Sequence, residues 1–172
     1  MRPLARVLIG AAACTPLMLA VPATASAAEP TDVTYAFAVE GSSVTNTITN
    51  NSGLPLNCST SLAPAPGGVL PPVDQVIGNG QTLYASGNAG QPGVSAQTVV
   101  NVPAGSYVVL ASCGTQDVEP AFAWISDYPG LEGYLGTFPW TPFTVQQEST
   151  VVTVEPGLFP DLGSLLPSGS AF

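Results

Sequence analysis

Basic residues are almost missing from this chain of 172 residues. Lysine and arginine together number two, Arg2 and Arg6, and histidine is absent. Beyond residue 6 the chain has eleven acidic side chains and no cationic one. That absence removes whole classes of chemistry. Nucleophile systems of the Ser-His-Asp, Cys-His and Ser-Lys types have no base. Imidazole-built zinc and copper sites cannot form. Phosphate clamps of arginine or lysine are excluded, and phosphoryl transfer and nucleotide binding with them. Nucleic-acid binding needs cations to neutralise phosphates, so it is excluded as well. Attraction to anionic lipid fails for the same reason. No cofactor and no metal is expected.

Long apolar runs are also lacking, although hydrophobic residues make up 45% of the chain and can fill a core. The N-terminus reads as a secretory signal peptide over residues 1–27. Arg2 and Arg6 form its positive end, residues 7–13 and 17–21 its apolar stretch, and Pro22 the break. The sites Ala23-Thr24-Ala25 and Ala25-Ser26-Ala27 both suit a signal peptidase, and cleavage after Ala27 is the favoured reading. Thr15 and Pro16 interrupt the apolar stretch, which is then too short to span a membrane at about 20 residues. Ala11-Ala12-Ala13-Cys14 is an alternative lipidation signal, but it lacks the leucine such boxes carry. No later segment is long and apolar enough to span.

Cysteine is scarce too. After the leader only Cys58 and Cys113 remain, and an exported chain with two cysteines most simply carries one disulfide. Metal binding or a reactive thiol would need assistance that the missing histidines cannot supply.

What is present is a period of two. Val33, Tyr35, Phe37 and Val39 alternate with smaller or polar residues, which describes a strand with one buried face. Val44, Asn46 and Ile48 share one face of the next strand and threonines the other. Leu54, Leu56 and Cys58 share a parity, so Cys58 points inward. Residues 63–68 and 86–93 read as small-residue loops, with a short strand over 81–85 between them. Strands follow over 94–102, 107–113, 121–125 and 144–154. The 107–113 run is the most continuously apolar and belongs at the centre of a sheet. Seven or eight short strands, and no convincing helix, predict an all-β sandwich over residues 28–155. Residues 156–172, rich in Gly, Pro and Leu, read as a flexible tail.

Ala104-Gly105-Ser106-Tyr107, leading into a strand that ends at Cys113, resembles the turn-into-strand corner of immunoglobulin-like sandwiches. In antibody domains the tyrosine precedes the cysteine by two positions, whereas here it does so by six, so the antibody disulfide placement does not carry over. The leader, the Ala/Pro/Gly-rich body, the single disulfide and the Gly-Ser-Leu tail together resemble small secreted proteins of actinobacteria. The resemblance implies an immunoglobulin-like sandwich and no particular activity.

Two features bear on function. The acids, among them Asp74, Asp117, Glu119, Asp127 and Glu132, fall singly near turns, as on a solvated surface. Aspartic-peptidase Asp-Thr-Gly and Asp-Ser-Gly motifs are absent, and Gln146-Gln147-Glu148 reads as a turn or sheet edge. The second feature is the segment 128–143, which gathers Tyr128, Tyr134, Phe138, Trp140 and Phe143 among prolines and glycines. Such a loop either folds back over the core or presents aromatics to a sugar or protein. The expectation is a secreted or envelope-associated, non-catalytic sandwich that works by binding or by a structural role, its ligand unknown, with a protein or glycan of the envelope as the candidate partner. A small carboxylate-dependent hydrolase of glycan or peptide is the alternative.

Overall fold

The computed structural model describes residues 28–156, apart from 78, 79, 81, 138 and 149. The expected signal peptide over residues 1–27 lies outside the described residues, as does the expected tail beyond Pro156.

Nine strands are present among the described residues: β1 Val33–Glu40, β2 Ser43–Asn50, β3 Leu56–Pro64, β4 Leu83–Gly90, β5 Gly93–Val99, β6 Gly105–Thr115, β7 Phe122–Asp127, β8 Thr141–Glu148 and β9 Val151–Val154. One sheet has the order β1-β2-β5. The other runs β4-β3-β6-β7-β8, with β9 also paired to β6. Pairing is antiparallel except between β7 and β8, which run parallel. Strand β6 is long enough for one edge to take two partners. Its residues 105–108 pair with β9 and its residues 112–114 with β7, while its other edge meets β3.

The period-two pattern places the side chains as read from the sequence. Val33 and Tyr35 are buried, while Thr34 and Ala36 are exposed. Val44, Asn46 and Ile48 all point into the sandwich. A two-residue turn joins β1 to β2, and Gly41 adopts φ 57°, a conformation that suits glycine.

Three expectations are corrected. Residues 86–93 are not a loop: β4 extends to Gly90, and only two residues separate it from β5. Small residues tolerate pairing there because the neighbouring strands supply the hydrogen bonds. Likewise, β3 runs to Pro64, into the expected loop at 63–68. The single strand expected over 144–154 is two strands with different partners, β8 beside β7 and β9 beside β6. Among the described residues helix is confined to single turns, such as Val73–Val76 and Glu132–Leu135.

Two apolar clusters fill the space between the sheets. One joins Tyr35 and Ile48 to Leu56, Trp124 and Val145; the other joins Val44 and Val99 to Leu62, Val109 and Val154. Cys58 and Cys113 are bonded, as directly opposed residues of β3 and β6 with Cα atoms 4.0 Å apart. The bridge thus lies within one sheet, on its inner face.

A chain of neutral polar groups also crosses this interior. The Asn46 Nδ2 donates to Thr60 Oγ1 at 2.8 Å, and the Thr60 hydroxyl donates to Gln97 Oε1 at 2.8 Å. The Gln97 Nε2 in turn donates to the Cys58 carbonyl at 2.8 Å. Asn46 and Thr60 are fully buried, and Asn46 Oδ1 has no hydrogen-bond partner.

A third cluster lies on the outer face of the larger sheet. Ala63, Val108 and Leu110 are covered there by Val76, Tyr128 and Leu131. The segments 65–77 and 128–135 therefore form a partial third layer, tied together by the Tyr128 hydroxyl donating to the Pro71 carbonyl.

Candidate binding groove

The partial layer stops short of the whole face, and a groove of about 380 Å³ opens beside it. Strand alternation dictates its floor. The outward positions of β3 are Asn57, Ser59 and Ser61, and the β6 residues opposite the first two are Gly114 and Ser112. All are small or polar, so the floor is low. Ser59 and Ser112 are opposed in the register, and their hydroxyls are 2.9 Å apart. The Ser61 hydroxyl donates to the Leu110 carbonyl at 3.3 Å. Ile77, Leu131, Ile125 and Trp140 provide apolar wall. Trp140 is 39% exposed.

The five aromatics of 128–143 have separate fates. Tyr128 is buried beneath the outer layer, and Tyr134 is half-buried on the helical turn. Phe143 belongs to β8 rather than to a loop. Its ring stacks on Trp124 at 5.6 Å and on Phe122 at 5.9 Å, against the inner core. Trp140 reaches the groove, and Phe138 lies outside the described residues. The structure therefore does not gather these side chains into one aromatic platform.

The groove's polar floor was not read from the sequence. Its signal was there: Ser59, Ser61 and Ser112 hold the outward parity of their strands.

Electrostatics in and around the groove are simple. Its lining holds no carboxylate. Among the described residues no cluster of three or more His, Cys, Asp or Glu could hold a metal ion. Burial raises the Tyr128 phenol above its ordinary pKa, so the hydroxyl stays protonated and donates to Pro71. Burial raises Tyr35 much further, partly countered by a backbone hydrogen bond from Cys113. Its hydroxyl donates to the Trp124 carbonyl at 2.8 Å inside the core. Neither tyrosine is available as a base.

Among the described residues no helix is long and apolar enough to cross a membrane. Compared with protein-family models, with curated proteins and with solved structures, the chain matches none.

Proposed function

We propose that this chain is an exported, non-catalytic sandwich of immunoglobulin-like topology that works by binding through the groove. The groove itself carries the reading. It is molecule-sized, its floor offers hydroxyl and amide groups, and Trp140 stands at its wall. Pockets that orient ligands have this make-up of apolar walls with a few placed polar groups. Hydrolysis by a carboxylate pair would need two acids facing one another across the site. The lining has none, which favours binding over the hydrolase reading.

The topology supports the immunoglobulin-like assignment. The orders β1-β2-β5 and β4-β3-β6-β7 follow the A-B-E and C′-C-F-G arrangement of such domains, with β8 and β9 as additions. Export is supported by the leader pattern at residues 1–27 and by the bonded pair Cys58–Cys113, since exported compartments oxidise thiols.

The test fills the groove. Ser112→Phe places a ring on the floor at an outward, half-buried position and leaves the core untouched. A partner from envelope extract that wild type captures and Ser112→Phe does not, at equal melting temperature, would support the proposal. Equal capture by both would refute it. Hydrolysis of envelope glycan or peptide by the pure protein would establish the hydrolase instead.

A further inference from the structure

We infer that the groove takes an uncharged oligosaccharide. This rests on the reading of the groove as the binding surface and adds the class of ligand. The register sets the floor in rows across the sheet. In one row Asn57 of β3 lies opposite Gly114 of β6, and Gly114 lies opposite Ala123 of β7. In the next row Ser59 lies opposite Ser112. Trp140 bounds the far side, since it precedes Thr141, which pairs with Phe122 of β7. From β3 to β8 are three interstrand gaps of about 4.8 Å, so the amide side and the indole side stand about 14 Å apart. Between them the side chains are those of Gly114 and Ala123, which keep the floor low.

This arrangement matches the two-sided chemistry of a sugar. A pyranose carries C–H groups on its faces and hydroxyls around its rim. The indole of Trp140, 39% exposed, offers a flat apolar surface for such a face. The rim hydroxyls need groups that both donate and accept. The Ser59 and Ser112 hydroxyls, 2.9 Å apart, hold two protons and use one between themselves. The pair therefore keeps one donor and several lone pairs for a ligand. The exposed amide of Asn57 adds donors and an acceptor in the adjoining row.

Charge narrows the class to neutral sugars. The lining holds no ionised side chain of either sign. An acidic glycan would enter without a cation to meet it, against the field of a body with eleven acids. An amino sugar with a free ammonium would be desolvated with no carboxylate in the lining to pair with it. Neutral hydroxyl, amide and indole groups recognise a neutral sugar without either penalty. The groove's 380 Å³ lies within the range of ligand pockets, about 300 to 1,000 Å³.

The probes are cellotriose, maltotriose, mannotriose and N-acetylchitotriose, with trigalacturonate as the acidic comparison. Each is titrated to about 1 mM while tryptophan fluorescence is followed. Trp124 is fully buried, so a ligand in the groove reports through Trp140. At least one neutral trimer should bind saturably, with an affinity that does not change with ionic strength. Trp140→Leu should weaken that binding by about fivefold in calorimetry, and Trp140→Phe should retain most of it. Gly114→Val raises the floor, and its added Cβ meets nothing nearer than the Phe122 carbonyl oxygen at 3.7 Å. It should weaken binding by at least about tenfold at an unchanged melting temperature. Binding that survives both Trp140→Leu and Gly114→Val would overturn the inference, as would trigalacturonate binding more tightly than every neutral trimer. Absence of binding by all four neutral trimers would overturn it too. If Ser112→Phe still abolished capture from envelope extract in that case, the groove would stand with a protein as its partner.

Discussion

Thr60→Val should destabilise this protein far more than its size suggests. Valine keeps nearly the same shape and fits the strand, so packing changes little. The hydroxyl, however, is the middle link of the buried polar chain. It accepts from Asn46 and donates to Gln97. Its loss strands a fully buried amide donor and a buried carbonyl acceptor together. An unsatisfied buried polar group costs about 1–3 kcal/mol. Gln97 keeps its bond to the Cys58 carbonyl, which limits its rearrangement. A total of about 3 kcal/mol follows, taking a value near the lower end for each group. With a urea slope of about 2 kcal/mol per M, the unfolding midpoint falls by about 1.5 M. Thr60→Ser restores the hydroxyl and should recover most of the loss. Asn46→Val is the informative contrast. It removes a side chain whose Oδ1 has no partner and leaves the Thr60–Gln97 bond intact, so it should cost less than Thr60→Val. Equilibrium urea unfolding of the three variants decides the matter. A Thr60→Val midpoint within about 0.3 M of wild type, or a larger loss from Asn46→Val, would show that the polar chain does not contribute as argued.

The two tryptophans should separate cleanly. Trp124, fully buried and donating to the Glu29 carbonyl at 2.8 Å, should cost about 3–5 kcal/mol on replacement by alanine, whereas exposed Trp140 should cost under about 1 kcal/mol by the same urea assay. Reduction of Cys58–Cys113, which are 55 residues apart, should lower stability by about 4 kcal/mol in the chain-entropy account, measured by unfolding with and without reductant. Alkaline pH should destabilise the fold through Tyr35. Burial raises its folded pKa above the ordinary value of 10.0, so its contribution is intact below pH 10 and is lost as pH rises beyond it, by about 1.4 kcal/mol per pH unit. Tyr35→Phe should flatten that fall, and an unchanged slope between pH 10 and 11.5 would contradict the burial of the phenol. Added salt should raise the melting temperature, because eleven acidic side chains face only two side-chain cations, Arg2 and Arg6.

Alternation along the chain was enough to determine which residues of β1, β2 and β3 face inward, Cys58 among them. That periodicity is local, set by the two-residue repeat of an extended backbone. The continuous apolar run 107–113 likewise marked the centre of the larger sheet, and the count of cysteines marked the pair. The absence of histidine and lysine is likewise legible in the sequence alone.

Pairing between distant segments was decided only in the tertiary structure. Nothing within residues 86–93 says that Gly90 lies opposite Leu56 or that Gly93 lies opposite Asn50, because small residues carry no hydrophobic alternation to read. Nothing in the run 144–154 shows it breaking between two neighbours, since either part alone has a strand's pattern. The polar chain of Asn46, Thr60 and Gln97 joins three strands separated by 14 and 37 residues, and its members meet only once both sheets are in register. The groove arises in the same way. Composition grouped Tyr128, Tyr134, Phe138, Trp140 and Phe143 into one aromatic segment, yet local chemistry cannot say which ring the core will claim. Phe143 is drawn inward by its place in β8 beside Trp124, and Tyr128 by the third layer, while Trp140 stays at the wall of a serine-floored groove. Burial is a property of where the neighbours are, and the neighbours of these side chains come from elsewhere in the sequence.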